Sequence, residues 1–243
     1  MAGQPPEPDL LDLPGSVPRE PSIRLFAIPD LLSRFLVRPP GPDYAVKPAG
    51  HFGPGDFLIP FLSPEELDRL NGFKVMKKQV EWSCGRFGAK TLIRERLMPK
   101  TGLADITIRY RELGAPYVTD FPGLCLSLSH SRDLIAAALG LTPDLAFGID
   151  IEAIGPMPDQ AFMKIAFTSR EREAMAPDAV AVFRNWTLKE AYLKYIQKGF
   201  NESLREVEVI EDHIYHGGEQ QPVLCRSWIL PRGFALGLVT NRP

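Results

Sequence analysis

Leu124-Cys125-Leu126-Ser127-Leu128-Ser129 is where the chain changes period. Leucines alternate there with small polar residues, the pattern of a strand with one face in a core and the other half-exposed. His130 and Ser131 close it. Downstream, residues 134–141 and 146–152 read as two more strands, parted by the turn-forming Thr142-Pro143-Asp144. Upstream the pattern is helical. Ser63-Pro64-Glu65-Glu66 has an N-cap, a first-turn proline and acids at the positive end of a helix dipole. A longer helix follows over residues 77–97. Beyond the strands, helices are predicted over 159–166, again after Thr168, and over 186–198. The tail, 207–240, returns to strands with a hairpin turn at Gly217-Gly218. A long helix followed by antiparallel strands thus occurs twice, on either side of about residue 147. The expected fold is α+β: two similar, pseudo-duplicated lobes, each a long helix packed on an antiparallel sheet, at 22–146 and 147–243. A disordered proline-rich arm, 1–21, precedes them.

The bulk numbers narrow the function. A hydrophobic content of 44% over 243 residues supports a real core. The formal net charge of −2 removes the electrostatic case for a general nucleic-acid binder. No apolar run is long enough to span a bilayer, and the acidic, proline-rich start lacks the features of a signal peptide. Cys84, Cys125 and Cys225 have neither metal-ligand spacing nor an even count. The expectation is a cytoplasmic protein without nucleic-acid or membrane partners.

Gly148-Ile149-Asp150-Ile151-Glu152 carries the first chemistry. On a strand, Asp150 and Glu152 share one face while Ile149 and Ile151 point to the other. Two like charges at that spacing repel unless a cation lies between them, and Mg²⁺ with its oxygen ligands suits the pair. Two acids on a solvated strand face is the alternative. The helix around Trp186-Thr187-Leu188-Lys189-Glu190-Ala191-Tyr192-Leu193-Lys194 buries Leu188, Ala191, Tyr192 and Tyr195, which leaves Glu190 and Lys194 as neighbours on another face. An ordinary surface pair is the bland reading of those two. His130, flanked by serines, is a phosphate donor or an acid–base group, or simply structural. Thr168 and Glu171 fit a capping box.

Four fragments, Ser129-His130-Ser131, Gly148–Glu152, Phe167–Glu171 and Trp186–Lys194, stand in the order of a known pattern. In that order they resemble the 4′-phosphopantetheinyl transferases of the surfactin-type, Sfp-like class. The motifs cover about residues 127–200. The resemblance implies transfer of the phosphopantetheine arm of coenzyme A to a serine of an apo acyl, peptidyl or aryl carrier protein, with release of 3′,5′-ADP. It implies Mg²⁺, with Mn²⁺ as alternative, on Asp150, Glu152 and Glu190. Glu190 would take the serine proton, directly or through a metal-bound water, and Lys194 would neutralise the leaving pyrophosphate. Ser129 and His130 would meet the 3′-phosphate of coenzyme A, with Lys189 among the coenzyme A contacts.

Arg86, Lys90 and Arg94, four apart, form a predicted cationic face for coenzyme A phosphates or an acidic carrier, with Arg86 the preferred phosphate contact. One departure stands out. Many relatives carry Gly-Lys-Pro where this chain has Gly114-Ala115-Pro116. The expectation is either that another basic residue, such as Arg109 or Arg111, replaces the missing cation or that affinity for coenzyme A is lower. One polypeptide supplies both sides of the cleft, which implies a monomer. A different coenzyme A or nucleotide enzyme, a silent carrier-binding relative and a purely structural protein are the alternatives.

Overall fold

The computed structural model describes residues 20–198 and 202–241. Most of the expected arm at 1–21 lies outside the described residues. In chain order the main elements are β1 (Ser22–Ala27), α1 (Ile28–Phe35), α2 (Pro64–Asn71), α3 (Met76–Arg96), β2 (Ile108–Tyr110), β3 (Pro116–Val118), β4 (Leu126–Ser131), β5 (Leu134–Leu139) and β6 (Phe147–Ala153). They continue with α4 (Gln160–Ala166), α5 (Ser169–Ala174), α6 (Ala179–Tyr195), β7 (Val207–Ile210), β8 (His213–His216), β9 (Glu219–Gln220), β10 (Leu224–Leu230) and β11 (Phe234–Thr240).

Local signals explain where the helices begin. Ser63 accepts from the Glu66 N–H and the Glu66 carboxylate accepts from the Ser63 N–H, a reciprocal capping box at the head of α2. Thr168 and Glu171 do the same for α5. Asp178 caps α6 through the Ala181 N–H, so this helix starts two turns before the predicted 186.

Two three-stranded antiparallel sheets form the centre, in the orders β1-β5-β4 and β10-β11-β6. The α+β class with antiparallel sheets therefore stands. Helix α3 packs on the first sheet through Val80, Cys84, Phe87 and Leu92, against Ile135, Ala137 and Leu139. Between the sheets lies an apolar layer of Ile23, Leu25, Ala136 and Ala138 with Phe147, Ile149, Ile151 and Leu236.

The two sheets meet at β4 and β6, which run in the same direction without a backbone ladder between them. Side chains of β4 supply the bonds instead. The Cys125 thiol donates to the Phe147 carbonyl, and Ser127, Ser129 and Ser131 accept the N–H groups of Ile149, Ile151 and Ala153 at 3.1, 3.3 and 3.0 Å. The polar face of β4 is thus not half-exposed as the alternation predicted. Ser127 and Ser129 are buried, because the edge of β6 needs acceptors and hydroxyls provide them.

Helix α6 lies very close to the second sheet. A Cβ at Gly148 would fall 2.1 Å from the Ala191 carbonyl oxygen, and one at Gly237 would fall 2.8 Å from the Thr187 carbonyl. Gly237 pairs with Asp150 across the β6–β11 ladder. These glycines let the helix backbone rest on the strands, so the face of β6 bearing Asp150 and Glu152 sits beneath α6. Gly148→Ala should therefore lower stability by about 2–3 kcal/mol, the range for overpacking a tight interior. Chemical denaturation would measure it, and a loss under about 0.5 kcal/mol would show that the helix can lift freely.

Candidate active site

Three elements bring the acidic groups together. Strand β6 supplies Asp150, which is buried, and Glu152; α6 supplies Glu190, which is 7% exposed. Ser129 donates to Asp150 Oδ1 at 2.7 Å, and Lys194 Nζ reaches the same oxygen at 2.7 Å. Ser131 donates to Glu152 Oε2 at 2.7 Å. Asp150, Glu152 and Lys194 all lie near enough to Glu190 to act on its charge.

Electrostatics in this cluster are unbalanced. Burial pushes the Glu190 carboxyl up to about 7, aided by the charge on Asp150 and opposed by Lys194. Burial also raises Glu152, partly offset by hydrogen bonds from Ser131 and the Trp186 indole. Asp150 Oδ2 and Glu190 Oε1 are buried without a hydrogen-bond partner. Such orphaned acceptors are costly, and a cation would satisfy both. Among the described residues, no three histidine, cysteine or carboxylate side chains stand close enough together to hold an ion as placed. The donor set still fits a hard, oxygen-seeking divalent cation, since all three groups are carboxylates and two present unpaired oxygens.

Two cavities flank Tyr110 and Leu128. One, of about 240 Å³, reaches Lys194 from Arg111, Ala115 and Pro116. The other, of about 230 Å³, is walled by Lys78, Glu81, Trp82, Arg86 and His130. Gly114 has φ +91 at the β2–β3 turn, so the turn persists without the family lysine. Of the two proposed substitutes, Arg111 lines the first cavity, with its guanidinium 5.1 Å from the Tyr117 ring and donating to the Pro122 carbonyl. Arg109 lies outward, 4.0 Å from Glu65.

The predicted cationic face of α3 needs correction. Arg86 is 2% exposed and Lys90 is fully buried, so two of its three members point inward. Lys90 donates to the Glu66 carboxylate and the Phe61 carbonyl, which leaves it no route to a phosphate. Lys189 is corrected for the same reason. It is fully buried and donates to Glu171 Oε2 at 2.8 Å, the Ala166 carbonyl at 2.7 Å and the Leu204 carbonyl at 3.1 Å. Burial lowers both ammonium groups and the paired glutamates oppose that shift. Each lysine thus locks a capping-box glutamate together with the carbonyl two residues before the cap.

Arg86 is different. It stacks 4.9 Å from the Tyr110 ring and 5.1 Å from Trp82, stands 3.5 Å from Glu66, and keeps Nε and Nη1 without hydrogen-bond acceptors. Ser129 is committed to Asp150 and Ile151, whereas the half-exposed His130 opens on the Arg86 cavity with Nδ1 3.8 Å from Glu81. Burial lowers His130, with Glu81 opposing, so at neutral pH it is an uncharged donor. Sequence reasoning missed Trp82, Tyr110 and Glu81, which no local motif marks.

Residues 146–231 match the family ACPS, the 4′-phosphopantetheinyl transferase superfamily. The chain belongs to this superfamily. It is 32% identical to 4′-phosphopantetheinyl transferase HetI of Nostoc sp. over 63% of this chain and 66% of that protein. It is 24% identical to 4′-phosphopantetheinyl transferase psf-1 of Bacillus pumilus over 76% and 82%. To the human L-aminoadipate-semialdehyde dehydrogenase-phosphopantetheinyl transferase it is 27% identical, over 60% of this chain and 52% of that one. The chain thus spans from about half to four fifths of these relatives. No helix among the described residues is long and apolar enough to cross a membrane.

Two outcomes are expected here. Lys189→Met should destabilise by about 3–5 kcal/mol, because it strands the fully buried Glu171 carboxylate; a loss below about 1 kcal/mol in denaturant would show that Glu171 is neutral or rehydrated. Glu190 titrates near 7 folded against an ordinary 4.5, so the folded chain binds the proton more tightly across that window. Stability of the metal-free chain should therefore fall as pH rises from about 4.5 to 7. Glu190→Gln should reduce this slope, the remainder coming from Glu152, which burial also raises, and should raise metal-free stability at pH 8 by on the order of 2 kcal/mol. A slope identical in the variant would refute the shift.

Proposed function

We propose that this chain transfers the 4′-phosphopantetheine arm of coenzyme A to the hydroxyl of a carrier-protein serine and releases 3′,5′-ADP, as a surfactin-type member of its superfamily. The observation that carries this reading is the pair of unpaired buried oxygens, Asp150 Oδ2 and Glu190 Oε1, near Lys194, which lines one cavity, and Ser129, which lines the other. When bound, Mg²⁺ or Mn²⁺ on Asp150, Glu152 and Glu190 supplies charge neutralisation at the pyrophosphate.

The residues divide the remaining work. Glu190 accepts the proton of the attacking serine, as the α6 carboxylate with an unpaired buried oxygen. The serine oxygen forms a bond to the phosphorus that bears pantetheine, and the bridging oxygen leaves with 3′,5′-ADP. Lys194 faces the growing negative charge of that leaving phosphate, shifting from its present bond to Asp150. Arg86 and His130 hold the 3′-phosphate through the free guanidinium nitrogens and a neutral ring N–H. Arg111 replaces the family lysine beside the Ala115 turn. Phosphoryl transfer asks for positioning and charge compensation, and this set provides both.

The same reading divides the chain at 146/147, between β5 and β6, and makes a single cytoplasmic polypeptide sufficient. The lysine-locked capping box that recurs at Glu66–Lys90 and Glu171–Lys189 supports two related lobes. Incubation with apo carrier protein, coenzyme A and Mg²⁺, followed by intact-mass measurement, should show the carrier gaining one phosphopantetheine, and EDTA should abolish the gain. Asp150→Ala should lower the rate by at least about 10³-fold with the fold retained. No gain on fatty-acid, polyketide or peptide-synthetase carriers would sink the assignment.

A further inference from the structure

The hydroxyls of β4 do more than join two sheets. Ser127, Ser129 and Ser131 each accept one backbone N–H of β6, from the residue 22 positions on. A hydroxyl has one proton to donate as well as lone pairs, so each serine keeps a donor in hand. At Ser129 that proton goes to Asp150 Oδ1 and at Ser131 to Glu152 Oε2, both at 2.7 Å. Each carboxylate belongs to the residue just before the N–H that the same serine accepts. At Ser127 the residue in that place is Gly148, which has no side chain, so the hydroxyl serves the backbone alone.

We infer that Ser131 is a positioning residue for Glu152, fixing which carboxylate oxygen turns away from the strand edge and so setting the affinity of the site for a divalent cation. The inference rests on the metal reading of Asp150, Glu152 and Glu190. Bonding by Ser129 engages one oxygen of Asp150 and leaves Oδ2 unpaired; at Glu152, which the Trp186 indole also meets, Ser131 holds Oε2 from the same backbone register. Partners that orient metal-ligating groups typically change metal affinity about 10–100-fold when removed. Ser127 is a built-in control, since its loss orphans one β6 N–H and touches no carboxylate.

The test is Mn²⁺ binding, read from the paramagnetic resonance of free Mn²⁺, to the full chain with saturating coenzyme A. Ser131→Ala should weaken Mn²⁺ at least about 10-fold. Ser131→Thr, which keeps the hydroxyl, should stay within about threefold of the parent, and so should Ser127→Ala. Thermal melts should fall by similar amounts in Ser127→Ala and Ser131→Ala, because each loses one backbone bond. Should Ser131→Ala fail to fold, Ser131→Cys against Ser131→Thr makes the same comparison, since a thiol is a weak donor. Equal Mn²⁺ affinities for the parent and Ser131→Ala, or equal weakening by Ser127→Ala, would overturn the inference and leave the metal reading intact. A parent chain that binds no Mn²⁺ would overturn the metal reading itself, and the inference with it.

Discussion

The bond on which the rest of this structure depends is a side-chain hydroxyl standing in for a strand. β6 is ladder-paired on one edge only, to β11, and its other edge would expose a row of N–H groups inside the molecule. Hydroxyls of Ser127, Ser129 and Ser131 on β4 accept from that row, and the Cys125 thiol just before β4 donates to the Phe147 carbonyl. A backbone ladder there would have satisfied the N–H groups without offering any proton to a carboxylate. Hydroxyls do both, so the joint between the sheets is also the support of the acidic cluster.

The second constraint is how near α6 comes to β6 and β11. Glycines at 148 and 237 let the helix backbone sit where side chains would otherwise be. Glu190 is thereby held beside Asp150 and Glu152 in a region with little water, and its carboxyl rises to about 7. The helix is kept down by Lys189, which bonds the Glu171 carboxylate and two carbonyls from the segments on either side. The lysine next to Glu190 in sequence therefore holds the scaffold, while Lys194, one turn on, faces the site.

How much of this was legible follows from the kind of signal involved. Capping boxes at Ser63 and Thr168 and the period-two run from Leu124 are local, and the helices and strands they announce are where the sequence puts them. The carboxylates at 150, 152 and 190 were found because strand and helix periodicities assign faces. Burial of Lys90 and Lys189 was not legible, because a lysine reads as surface unless its partners, 24 and 18 residues earlier, are known to close over it. The inward turn of Arg86 and its stacking on Trp82 and Tyr110 depend on tertiary contacts in the same way. Alternation at 124–129 marked a strand correctly and misjudged its polar face, since the pattern cannot tell solvent from the edge of another strand.

Charge is what finally ties the architecture to chemistry. Three carboxylates near one helix, offset by Lys194 and more weakly by Lys189, make a cluster that folding gathers against electrostatic cost. Such a site is stable in two ways: by holding a proton, as Glu190 does near neutrality, or by holding a cation. On the proposed reading, a divalent cation and the Glu190 proton would compete for the same buried carboxylates, because such ligands bind metal in their deprotonated form. The burial that raises Glu190 and leaves two carboxylate oxygens unpaired is the same burial that would strengthen the attraction of the cluster for a cation.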